Sequence, residues 1–116
     1  MNGNANAKQK KFHDWCRRRG CVIDGSEYPA LHHIGGSKMR LKFVEKAGEW
    51  YVIGLSYYWH QDGTNPKAVH INKSEFIQHH CMTEKDLWVE LMEAYKAEKG
   101  EYPMSDHEYQ IIVDRG

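Results

Sequence analysis

Cysteine is scarce in this chain and badly spaced for bracing it. Cys16, Cys21 and Cys81 are an odd set with no Cys-x-x-Cys pair, which excludes a disulfide framework and a cysteine-rich zinc ribbon. No apolar run approaches the roughly 20 residues that cross a bilayer, so no membrane partner is expected. An excess of charge of either sign is missing too, since 16 Lys and Arg meet 16 Asp and Glu. That balance is not the footprint of a strong nucleic-acid binder. The opening residues 1–7 are polar and Asn-rich, unlike a secretory signal, and are expected to form a flexible arm. Reduced thiols and these absences predict a cytoplasmic protein.

What is present is enough for one folded domain. The chain has 116 residues, 41% of them hydrophobic, with four Trp and seven Tyr. That length and composition predict a single globular domain with a modest core. The zero net charge also hides an uneven distribution. Lys8, Lys10, Lys11, Arg17, Arg18 and Arg19 make the start basic, and Lys38, Arg40, Lys42 and Lys46 continue this. The acids gather late, from Glu84 to Glu101 and at the end. A basic face is therefore expected within a neutral total.

Periodicity sketches an α+β order. Phe12, Trp15 and Cys16 fall at helical spacing over residues 7–19, and Gly20 stands as a C-terminal stop. Residues 21–23 and 28–34 read as short strands around the Asp24-Gly25-Ser26 turn, together a small hairpin. Residues 35–48 read as a polar, basic loop. Residues 49–55 carry the strongest strand signal, dense in aromatic and β-branched side chains. Ser56 then stands as an N-cap for a short helix from Tyr57, broken by Asp62 to Pro66. Asn72 caps a helix through His80. The clearest helix opens at Thr83 and runs to Gly100, with Leu87, Trp88, Leu91, Met92 and Tyr95 on one face. A capping box, Ser105-x-x-Glu108, starts a last helix to about Asp114, docked by Ile111 and Ile112.

Histidine is the unusual residue, with eight in all. Two adjacent histidines, His32 and His33, end a strand-like run and precede Gly35 and Gly36. Neighbours in a strand point to opposite faces, so the two cannot do the same job. One can hold a metal while the other faces a reacting group. Neutral imidazoles are common ligands for divalent metals, and three of them leave positions open for water or phosphate. A further histidine, titrating near pH 6.5 when unperturbed, suits a general base. His32, His33, His60 and His70 are the candidates. The pair His79-His80 reads as favourable charge at a helix C-terminus. His13 and His107 read as surface residues, and Trp50, Tyr51, Tyr57, Tyr58 and Trp59 as core, with room for one or two of them to face DNA.

A strand ending in His-His, a loop, a second apolar strand, a short helix carrying His60 and then His70 is an ordered set. In this order the chain resembles the HNH, or ββα-metal, endonucleases. Residues 21–25, Leu31 to Gly36, Trp50 to His60 and Val69 to Phe76 narrow the likeness to small phage-encoded HNH proteins. Among them are recombination-enhancement nucleases that cut DNA beside a recombinase filament. The resemblance implies a ββα-metal core over residues 21–80, with an N-terminal helix and two C-terminal helices over residues 83–115. It implies His32, His60 and His70 as metal ligands and His33 as the general base. It implies a divalent metal, Mg or Mn in catalysis with Zn or Ni as alternatives. Arg17, Arg18, Arg19, Lys38, Arg40 and Lys42 would hold DNA phosphates. The implied protein is encoded by a phage or mobile element and acts in the cytoplasm of a bacterial host on DNA, with a recombinase filament or another DNA-processing protein as partner. Asp24, Ser56 and Trp59 stand where many members carry zinc-binding cysteines or an extra histidine. That departure keeps a second expectation open: a non-catalytic module, stabilised by zinc, that binds DNA or a protein. A third is an inactive relative that blocks another nuclease.

Overall fold

The computed structural model describes residues 5–116. It is an α+β fold. Helix α1 (Ala7–Arg19) leads to strand β1 (Ala30–His33), a 3-10 turn (Ala47–Glu49) and strand β2 (Val52–Leu55). Helices α2 (Tyr57–His60), α3 (Lys73–His80), α4 (Glu84–Lys99) and α5 (Asp106–Arg115) follow. Most of the expected arm, residues 1–4, lies outside the described residues. Its last part is ordered, because Ala5 is buried and Asn6 is the N-cap of α1. The Asn6 side chain accepts from the Gln9 backbone amide, and the Gln9 side chain accepts from the Asn6 amide. This reciprocal box satisfies two amides that a helix start leaves open.

The strands pair with each other, and the expected hairpin within residues 21–34 does not form. β1 and β2 run antiparallel, with Ala30 opposite Leu55 and His33 opposite Val52. Residues 21–23 form a turn instead of a strand. Gly20 and Gly25 both sit at positive φ, and Cys21 and Ser26 close the loop between them. Only the Val22 amide reaches the sheet, donating to the Gly54 carbonyl at 2.9 Å. Three residues bent between two left-handed glycines cannot extend. Tyr28 also sits at positive φ, so β1 begins at Ala30, later than expected. β2 likewise begins at Val52, because residues 47–49 coil first.

Strand β2 is buried along its whole length, and the core closes around it. Phe12, Trp15 and Cys16 of α1 pack in the same cluster as Val52, Ile53 and Leu55, and Leu87, Trp88, Leu91 and Met92 of α4 join them. Each such large side chain contributes roughly 1.5–3 kcal/mol on burial. Trp88 also donates its indole N–H to the Trp50 carbonyl at 2.9 Å, tying α4 to the entry of β2. Gly54 allows a close approach: a Cβ there would lie 3.2 Å from the Gly20 carbonyl oxygen and from Pro29. Trp50 and Tyr51 are core as expected, whereas Tyr57 and Tyr58 are exposed. They lie on the outward side of a helix only four residues long. Ser56 occupies the cap position of that helix, but its hydroxyl makes no capping bond. Among the described residues no helix is long and apolar enough to cross a membrane.

Candidate functional site

Three histidines expected as ligands come together. One ring nitrogen from each of His32, His60 and His70 lies within 4.8 Å of the others, an arrangement that could hold a metal ion. Ring centroids are 5.1 Å apart for His32 with His60 and for His32 with His70, and 4.5 Å for His60 with His70. His32 comes from β1, His60 from the last turn of α2 and His70 from the segment after it. That segment folds back because Asn65 is buried and donates its side-chain amide to the Tyr58 carbonyl at 2.8 Å. The Val69 amide then donates to the Trp59 carbonyl, and the His70 amide to the His60 carbonyl at 3.0 Å. Two residues ten apart in sequence are thus clamped side by side through their own backbone. Trp59 is supported from below by α3, where His79 stacks on it at 5.5 Å and His80 meets it edge-on.

The chemistry of the three rings suits a cation. Burial, and then the neighbouring His32 and His70, lower the pKa of His60 to about 4. It is therefore a neutral imidazole at pH 7. Its Nδ1 is buried with no hydrogen-bond partner, a state that costs free energy unless something fills it. His32 donates Nε2–H to the Glu84 carboxylate, which also pairs with Lys73 at 3.0 Å. Burial pushes Glu84 up, but the bonds from His32 and Lys73 outweigh it and hold the carboxyl below its usual range. A carboxylate behind an imidazole fixes its tautomer and strengthens it as a donor. With Nε2 engaged, Nδ1 is the nitrogen His32 keeps for a ligand. Burial falls from His32 through His60 to the exposed His70, so one side of the trio is open to solvent.

His33 faces the other way, as strand alternation requires. Its Nε2 donates to the buried Glu49 carboxylate at 2.6 Å. His13, expected at the surface, is buried beside it and donates Nε2–H to the Glu49 carbonyl at 2.7 Å. Burial lowers the pKa of His13, and the Glu49 carbonyl and charge offset this in part. His33, Glu49, His13, Lys10, Asp14 and Arg17 line one cleft of about 450 Å³. Among the residues expected to hold DNA phosphates, Arg17 is the one that lines this cleft, beside Lys10, and it also pairs with Asp14 at 3.2 Å. Arg18 and Arg19 line a separate cleft with Glu98, where Arg19 sits over the Trp15 ring. Lys38 and Arg40 line a third. Lys42 lies over the exposed ring of Phe43.

Glu49, Glu84 and His13 escaped the reading of the sequence. Their partners lie 16, 52 and 36 residues away, and no local pattern marks such contacts. Glu84 looked like an ordinary first-turn acid and Glu49 like the edge of a strand. His79 and His80 stand in the last turn of α3 as expected, and burial, and then His79, lower the pKa of His80 from its ordinary value. In comparisons with protein-family models, with curated proteins and with solved structures, nothing matches the chain.

Proposed function

We propose that this chain is a metal-dependent DNA endonuclease of the HNH type, its ββα-metal core lying within residues 21–80. The observation that carries the reading is the convergence of His32, His60 and His70 beside a strand whose next residue, His33, is held by a carboxylate. A divalent metal there, Mg or Mn in catalysis with Zn or Ni as alternatives, would stabilise charge on the scissile phosphate and the leaving oxygen. His32, His60 and His70 would hold it, with Glu84 fixing the tautomer of His32. His33 is the general base. With Nε2 bound to Glu49, it takes the proton of the attacking water at Nδ1, and the Glu49 carboxylate stabilises the imidazolium that forms. The water oxygen bonds to phosphorus as the ester P–O bond breaks. Arg17, in the same cleft as His33, holds a neighbouring phosphate, and Lys38 and Arg40 of another cleft, with Lys42 on the same loop, hold further ones. Arg18 and Arg19 lie on another face and serve only DNA that wraps α1. Near-zero net charge suits an enzyme brought to DNA by a partner, such as a recombinase filament in a bacterial cytoplasm.

One observation favours a second reading, a non-catalytic module stabilised by zinc: Glu84 beside His32 offers a fourth donor. Its pairing with Lys73 argues that it supports His32 instead. The test is nicking of supercoiled plasmid and single-stranded DNA with Mg²⁺, Mn²⁺, Ni²⁺ or EDTA. Wild type is expected to cut with metal and stop with EDTA, while His33→Ala binds metal normally and does not cut. Wild-type rates in His33→Ala would remove the base assignment. If wild type cuts neither naked DNA nor DNA coated with a recombinase filament, the endonuclease reading fails.

A further inference from the structure

The loop over residues 38–46 is basic, strained and tied down at its base. Leu41 and Val44 form an isolated antiparallel bridge, and the Val44 amide closes the turn on the Leu41 carbonyl at 3.1 Å. Phe43 is the third residue of this turn, with φ of 70°. Glycine or asparagine normally fills such a position, because a Cβ is disfavoured there. Phe43 is nevertheless 74% exposed, so no packing compensates for the strain. Lys46 also has positive φ. The base of the loop is held firmly. The fully buried Gln9 donates its side-chain amide to the Glu45 and Lys46 carbonyls, both at 3.1 Å, and Gly48 bonds Met39 at 3.2 Å. The protein thus spends stability to hold an aromatic ring out in water. Strain of this kind collects where a ligand is met.

The surroundings say what the ligand is. Lys38, Arg40, Lys42 and Lys46 lie to either side of Phe43 along the loop, and among the described residues none of them is in an ion pair. Lys38, Arg40 and Lys46 line a cleft of about 630 Å³ beside the turn. Four unpaired cations on the loop that presents one exposed ring match a polyanion with flat apolar units, which is a nucleic acid. The Lys42 ammonium lies 5.3 Å from the Phe43 centroid and covers one face of the ring. One face remains. A wedge driven into a duplex needs both faces, whereas stacking on one unpaired base needs one.

We infer that residues 38–46 form a nucleic-acid-binding finger in which Phe43 stacks on an unpaired base while Lys38, Arg40 and Lys46 hold the flanking phosphates, so that single-stranded DNA is the preferred substrate. The inference rests on the proposal that the substrate is DNA, and not on the hydrolysis. Binding is therefore measured without cutting, in EDTA, by fluorescence anisotropy with a labelled oligothymidine and a hairpin duplex of equal length. Wild type prefers the single strand. Phe43→Ala and Phe43→Leu weaken it about tenfold or more, as loss of one stacked base does, and change duplex binding less than twofold. Phe43→Trp keeps the preference, because it keeps the flat ring. Phe43→Asn, which relieves the backbone, loses the preference while its Tm rises. Unchanged single-strand affinity in Phe43→Ala overturns the finger, as does an equal loss on both DNAs, which would leave only phosphate contact. Binding to neither DNA by wild type overturns the DNA reading with it, whereas binding without any cutting in the metal assay would remove the endonuclease and leave the finger standing.

Discussion

His32 and His33 are identical side chains one residue apart, and their environments send them to different chemistry. His32 is buried against Glu84, and His33 stands half-buried in a cleft against Glu49. The Glu49 bond is the one that can orient a base. Glu49→Gln keeps the shape and removes the charge that stabilises an imidazolium. Its cutting rate is expected to fall by about 100-fold, within the usual reach of acid–base catalysis, with KM and metal affinity nearly unchanged. Equal loss of metal affinity would instead assign Glu49 to structure. His60 makes a pH statement about the metal-free protein. Its folded pKa, about 4, lies below its unfolded value of 6.5. The unfolded state therefore binds the proton first. The stability contributed by neutral His60 is whole above about pH 6.5 and is lost as pH falls through about 4. Urea melts of EDTA-treated protein are expected to show this fall, and His60→Ala is expected to flatten it. A slope that persists in the variant would assign the effect to other groups. The meeting of His32, His60 and His70 was legible because the order of His-bearing segments is a pattern. The groups behind it, Glu84 and Glu49, were not, because a contact made across the fold leaves no trace in neighbouring residues.

Helix ends carry much of the element-scale information, and they were legible where caps are made of adjacent residues. Gly20 and Gly100 end α1 and α4, Asn72 starts α3 and Ser105 starts α5, as the sequence predicts. The Thr83 cap matters beyond its helix. Its hydroxyl accepts from the Asp86 amide at 3.0 Å, and the Asp86 carboxylate accepts from the Thr83 amide at 2.9 Å. This box orients the first turn of α4, where Glu84 reaches His32. Thr83→Ala is expected to cost about 1 kcal/mol. It should also weaken metal binding severalfold by loosening Glu84. Thermal melts and metal titration check the two together, and a stability loss with unchanged metal affinity would separate the cap from the site. Strands were less legible. Four-residue strands hold too little periodic signal to set their ends, and positive φ at Tyr28 and the coil at residues 47–49 decide where they start.

At the scale of the molecule, the histidine trio stands at the edge of the core, with His32 inside and His70 outside. The core around β2 draws on α1, α4 and α5, with Phe76 of α3 and Val69 beside His70, and of the three histidines only His32 is buried, while His60 and His70 lie progressively more open to solvent. Chelation is therefore expected to leave the far-UV circular dichroism unchanged. Adding metal back at about 100 times its Kd should stabilise the fold by about 2.7 kcal/mol, read as a rise in Tm. Unfolding on chelation would favour the structural-zinc module.

The sequence by itself determined the α+β order, the ends of the long helices, the core faces of α1 and α4, and which histidines could meet. Those features depend on residues within a few positions of one another, where helical spacing and cap chemistry act. The tertiary structure alone decided that β1 pairs with β2, that Gln9 pins the loop bearing Phe43, and that His13, Glu49 and Glu84 stand behind the site. These contacts join distant segments, and the burial of a shared core selects them, not local propensity.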